Sequence, residues 1–238
     1  MIEVDAAALL TRIDTLMSTY RRDSELSRFN AAESTAPIAV SKETGYTIDE
    51  ALRVGALTDG TIRKTQGRLR VDLSGIAKGY AVDRLAAIFD GHGVRSYLID
   101  IGGELRSRGR NRDGRPWRVG VERPVPGTRA VHRVVRLENR AVATSGDYRN
   151  FFVHEGQRYT YAIDPRTARP VTHPLASVTF VDDNAMRADA LSKGMMVMGP
   201  NEGMELARTH DVAAYFIVRT GDGFEERFTP AFERFLTG

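Results

Sequence analysis

Between Leu69 and Gly103 the chain runs strand, helix, strand with little slack, and this unit constrains the fold more than any other stretch. Leu69, Val71 and Leu73 alternate with polar residues, the period of a half-buried strand. Gly75 then opens a helix carrying Ile76, Tyr80, Leu85, Ile88 and Phe89, which Gly91 and Gly93 terminate. Tyr97, Leu98, Ile99 and Ile101 form the next strand, which ends in Gly102 and Gly103. A strand that feeds a helix N-terminus places unpaired backbone N–H groups and partial positive charge at the junction.

The rest of the chain surrounds this unit with more strands than helices. Residues 6–20 put Leu9, Leu10, Ile13, Leu16 and Met17 on one helical face, and Ser24 suits the cap of a short turn through Leu26 and Phe29. Ser41 starts a second helix that Asp59 and Gly60 stop. Strands are expected at 118–121, 131–137, 151–153, 159–163, 177–181 and 212–218, with helices at 185–198 and 202–210. This order predicts an α+β fold with a mainly antiparallel sheet and packed helices, a single domain over residues 1–238.

Composition removes several function classes. With no cysteine there is no disulfide, thiolate metal site or cysteine nucleophile. The five histidines never stand at the i, i+4 spacing of a helical zinc pair. No apolar run reaches the roughly 18 residues of a membrane span, and the first eight residues lack the basic start of a signal peptide, as expected of a mature or trimmed form. Net charge is +3, and one dense basic patch comprises Arg106, Arg108, Arg110, Arg112, Arg115 and Arg118. Without interleaved aromatics for base stacking it reads as a solvated hairpin tip around Asn111, Asp113 and Gly114, not as a nucleic-acid site.

Four constellations are able to carry chemistry. Asp72 to Gly79 lies at the strand-to-helix junction, where Lys78 adds a full charge; an anion seat and a merely close-packed helix start fit equally. Asp164 before Pro165 is either a structural turn or a ligand contact, and the same holds for Thr144 to Tyr148. Asp189, amid small apolar residues, either pairs with Lys193 one turn on or serves as a magnesium ligand.

Together these segments resemble the FAD:protein FMN transferase family, formerly called thiamine biosynthesis lipoproteins. The matching blocks are Met17 to Tyr20 with Ser24 to Asn30, Asp72 to Asp83, Asp100 to Glu104, Ala143 to Tyr148, Asp164 to Thr167, and Ala188 to Leu191. They stand in the family's order across nearly the whole chain. The resemblance implies a T-fold-like α+β enzyme that binds FAD and Mg²⁺ and transfers FMN to a threonine or serine hydroxyl of an acceptor flavoprotein, releasing AMP. It implies that Tyr20 contacts the flavin, that Asp72 and Lys78 hold FAD, and that Ile163 lines the same site. The carbonyl of Gly75, with Asp189 and Ser192, would supply metal oxygens, and a periplasmic setting is expected. Alternatives are an FAD-binding relative without catalysis and an FAD pyrophosphatase.

Three departures from the family pattern accompany the match. Tyr161 stands where the family carries a histidine suited to deprotonate the acceptor; a tyrosine near its ordinary pKa of about 10 is a poor base at neutral pH. Lys193 stands where a threonine is expected, and an ammonium offers a metal no lone pair. Gly60 runs directly into Thr61 where the family continues with an FAD-contacting stretch, so a segment is expected to be missing there, with the two Cα atoms beyond the ~3.8 Å of a trans peptide.

Overall fold

The computed structural model describes residues 1–33, 36–58, 62–65, 68–149, 151–154, 157–160 and 162–237. Three helices come first, α1 (Ile2–Met17), α2 (Glu25–Ala31) and α3 (Lys42–Thr58). The ribbon β1 (Ile62–Thr65) with β2 (Arg68–Val71) leads into α4 (Ala77–Gly91) and the hairpin of β3 (Tyr97–Ile101) and β4 (Glu104–Arg108). Strands β5 (Trp117–Glu122) and β6 (Val131–Leu137) pair as a separate ribbon ahead of β7 (Ala141–Gly146). Two small ribbons follow, β8 (Phe151–His154) with β9 (Gln157–Thr160) and β10 (Ile163–Asp164) with β11 (Arg169–Pro170). Then come β12 (Leu175–Asp182), α5 (Ala185–Met198), α6 (Pro200–Thr209), β13 (Ala213–Thr220), β14 (Gly223–Phe228) and α7 (Pro230–Glu233).

Six strands form the central antiparallel sheet in the order β14-β13-β12-β7-β4-β3. Along β13, Ala214, Phe216 and Val218 face the helices, while Ala213, Tyr215 and Ile217 face the β5–β6 ribbon and α7. Both faces are covered, so β12 and β13 are buried along nearly their whole length rather than at alternate residues. Phe180, Phe216 and Leu191 lose all contact with water, each contributing about 1.5–3 kcal/mol. The α+β class and the antiparallel sheet expected from the sequence are those observed.

Helix α5 is the centre of the helical layer. Ten of its 14 residues are buried, including Ala185, Ala188, Ala190 and Gly194, so it is enclosed on nearly every side instead of presenting one apolar stripe. Its small side chains let neighbours approach closely. A Cβ on Gly79 of α4 would lie 2.3 Å from the Ala185 carbonyl oxygen, so only glycine permits this crossing.

Three local expectations are corrected. Helix α4 begins at Ala77, because the Ile76 and Ala77 N–H groups both turn back to the Leu73 carbonyl and make residues 74–76 a turn. Thr144 to Gly146, read as part of a turn or a ligand-contacting loop, belong instead to β7 in the middle of the sheet; Ala141, Val142 and Ala143 are buried under α5 and carry no polar alternation to betray a strand. The arginine patch does not cap a ladder between β4 and β5, since each pairs elsewhere. Only its tip is a tight turn, with Asn111 Oδ1 accepting the Asp113 and Arg115 N–H groups at 3.0 Å each. Three of its arginines are paired to acids: Arg106 to Asp83, Arg108 to Asp90 and Arg110 to Glu138.

Candidate functional site

Helices α4 and α5 cap each other. The first turn of α4 has no side-chain cap of its own, since Ile76 holds the cap position. Asp189, projecting from α5, supplies one from 110 residues away: its Oδ2 accepts the Gly79 N–H at 3.0 Å. In return Asp83 of α4 accepts the Ala185 and Met186 N–H groups at 3.1 and 2.9 Å, at the start of α5. Each aspartate thus satisfies backbone donors that a helix N-terminus leaves orphaned, and the local dipole favours its charge.

The Asp189 end carries more charge than capping requires. Asp189 is 2% exposed, and burial drives its carboxyl above the ordinary range, with Lys78, the Gly79 N–H and Lys193 offsetting this in part. Glu104, at the first position of β4, is equally buried. Burial, then the charge of Asp189, push its carboxyl up to about 7, while Lys78 pulls it back. The Lys78 Nζ meets Glu104 Oε2 at 2.5 Å. The turn between β3 and β4 seats this pair: Gly102 at φ +65° has the Lys78 Cδ 3.6 Å from where its Cβ would stand, and Asp100 Oδ1 holds the Gly103 N–H at 2.9 Å. Glu104 is the residue that sequence reasoning assigned no role. Its one signal was an acidic residue at a strand start directly after a Gly-Gly turn.

The other expected site residues are spread around this junction. Asp72 is exposed in the turn leading into α4, where its Oδ1 accepts the Ser74 N–H at 2.9 Å. Gly75 follows in that turn, with the Lys193 stem laid against it. Lys193 and Asp189 form no short ion pair; the buried carboxylate takes Gly79 instead. Ser192 faces β7: its hydroxyl donates to the Asp189 carbonyl at 2.9 Å and stands 2.9 Å from Ser145 Oγ. Tyr20 is 95% exposed, a ring available to a ligand. Ile163 lies in β10, which packs on α5. Tyr161 and the Gly60–Thr61 link lie outside the described residues.

In the two stretches read as turn or ligand contact, the acids have partners within the protein. Asp164 holds the Arg166 N–H at 2.8 Å and the Arg166 guanidinium at 3.1 Å, a pairing that keeps its carboxyl below the usual range. Asp147 pairs with both terminal nitrogens of Arg219, and the Tyr148 hydroxyl donates to Glu122 at 2.9 Å. Burial, with that bond to Glu122, pushes the Tyr148 phenol up to about 12. A cleft of about 550 Å³ between α6 and β14, lined by Pro200, Asn201, Met204 and Arg227 among others, lies apart from the charged junction. Among the described residues no three His, Asp or Glu side chains gather as a metal cage, and no helix is long and apolar enough to cross a membrane.

Buried carboxyls with raised pKa facing lysines at a helix N-terminus mark a candidate functional site on this α+β frame. The chain belongs to the ApbE family, whose profile matches residues 2–69 and 61–216. A Vibrio cholerae protein named FAD:protein FMN transferase is 37% identical over 283 aligned positions, covering 99% of this chain and 85% of that protein. The alignment is longer than the 238 residues here, so the relative carries residues this chain lacks. The solved structure of the flavin transferase ApbE from Vibrio cholerae superposes with TM-score 0.88 at 36% identity, covering 99% of this chain and 90% of its own. The apo Pseudomonas stutzeri flavinyl transferase ApbE gives TM-score 0.88 at 33% identity, covering 100% and 89%.

Proposed function

We propose that this chain moves FMN from FAD to a threonine or serine hydroxyl of an acceptor flavoprotein and releases AMP. The observation that carries the reading is the Asp189–Gly79 junction, where a helix N-terminus, Lys78 and two buried carboxylates converge. In the reaction the acceptor oxygen bonds to the phosphorus on the FMN side, and the bridging P–O bond of the diphosphate breaks. AMP departs with that bridging oxygen, and the hydroxyl proton passes to a base.

The residues divide the work as follows. Lys78 neutralises diphosphate charge at the start of α4, and Glu104 fixes where its ammonium stands. Tyr20 offers its exposed ring to the flavin, Asp72 orients a polar group beside the helix entrance, and Ile163 gives an apolar wall. Mg²⁺, when bound, neutralises charge on the transferring phosphate oxygens. Mg²⁺ sites commonly use one or two carboxylates plus substrate phosphates, and Asp189 with the Gly75 carbonyl fits that pattern. The Ser192 hydroxyl fits less well, being shared already between Ser145 and the Asp189 carbonyl. Tyr161 is the weak member, because a neutral phenol accepts a proton poorly. The reading carries a periplasmic setting with it.

The test incubates the chain with FAD, Mg²⁺ and a threonine-bearing acceptor domain while AMP and covalent flavin are followed. AMP together with flavinylated acceptor is the expected result. AMP alone would replace transfer by hydrolysis, and FAD binding without AMP would replace it by a binding role. A Tyr161→His variant should then raise the rate.

A further inference from the structure

Gly75 lacks a side chain at the place where α5 sends a long one across. A Cβ on Gly75 would lie 2.9 Å from Lys193 Cγ, 3.2 Å from its Cβ and 3.4 Å from its Cε. The lysine stem is therefore laid along the backbone of the turn that enters α4. Lys193 is exposed as a residue, yet its methylenes are packed, so presenting its ammonium costs less rotamer entropy than for a fully solvated lysine. The charge is felt inside: together with Lys78 it draws the Asp189 carboxyl down against the effect of burial.

The formal charges at this junction balance only when both buried carboxyls are ionised. Asp189 and Glu104 supply two negative charges when ionised, and Lys78 and Lys193 supply two positive ones. A diphosphate at the entrance to α4 would meet one ammonium from that helix and another from α5. Each adds to the attraction of the positive end of the helix dipole.

We infer that Lys193 is a resident cation of the nucleotide seat, contacting the diphosphate and standing in for part of the charge of a divalent metal, so that this chain retains FAD without Mg²⁺. The inference rests on the reading above that FAD is the ligand. It concerns holding the nucleotide and leaves the metal its part in the chemical step.

The experiment measures FAD affinity by flavin fluorescence for the unaltered chain, Lys193→Gln and Lys193→Arg, each in EDTA and in saturating Mg²⁺. Because Lys193 is exposed, both variants are expected to fold, which a melting curve checks. The unaltered chain should change its Kd by less than about threefold between the two conditions. Lys193→Gln should lose about tenfold in EDTA and recover most of it with Mg²⁺, while Lys193→Arg keeps metal-independent binding. A tenfold or greater loss by the unaltered chain in EDTA would overturn the inference while leaving FAD as the ligand. So would equal binding by Lys193→Gln and the unaltered chain in EDTA. Absence of FAD binding by all three proteins in both conditions would overturn the inference and the FAD reading together.

Discussion

The α4–α5 pair has two ends built from the same device and put to different use. At one end Asp83 caps α5 and is closed off by Arg106, so its charge is matched by one guanidinium and two backbone N–H groups. At the other, Asp189 caps α4 with a single N–H group and stands near a second buried carboxylate, with two lysines reaching the same junction. A capping aspartate is structural when its partners exhaust its charge, and available for chemistry when they do not. The contrast gives each end its own expected behaviour.

The largest effect should come from Asp189→Asn. The amide oxygen can still accept the Gly79 N–H, so folding survives and the melting temperature holds or rises, while AMP release falls by about 100-fold or more. A variant that keeps its activity would make the two ends alike and remove the functional reading of Asp189. Next comes Asp83→Ala, which strands Arg106 and two helix N–H groups and should cost about 2–4 kcal/mol in urea unfolding. FAD affinity of the folded fraction should change by less than about threefold. A fall in AMP release by the folded fraction as large as that of Asp189→Asn would erase the distinction.

The pH dependence of stability sharpens the same comparison. Glu104 and Asp189 both have folded-state carboxyls raised by burial. At Glu104 the folded protein therefore binds more protons than the unfolded chain between the ordinary carboxylate range and about 7. The Glu104 contribution is fully present below that range and is lost as pH climbs through about 7, and the Asp189 contribution has the same sign. Glu104→Gln, neutral throughout, should match the parent near pH 4 and exceed it by roughly 1–2 kcal/mol near pH 8, read from denaturant midpoints. An unchanged difference across that window would show that Glu104 is not held against its charge. The smallest effect belongs to Arg110→Ala. Its partner Glu138 lies at 2.8 Å but both side chains are well exposed, so the loss should stay within about 0.5 kcal/mol, against several times that for Arg106→Ala.

Much of the frame could be read from the order of residues. Helix α5 matches its expected bounds, as do β3 and β6, because their apolar spacing and glycine stops are local. Strands β4 and β7 escaped notice because one hides in an arginine-rich stretch and the other consists of small residues buried on both faces. Of the site, Lys78 and Asp189 were legible as charged residues at a helix start and in an apolar helix, and the structure brings them to one junction. Glu104 was not, since an acid at a strand start ordinarily faces water.

Periodicity, turn residues and the run of matching blocks settled the α+β class and the family, since each depends on neighbours a few positions apart. Packing alone decided that Asp189 caps a helix begun 110 residues earlier, that Glu104 grips Lys78, and that Lys193 lies across Gly75. A side chain's partner and ionisation depend on what surrounds it in space, and for these residues that surrounding comes from remote parts of the chain.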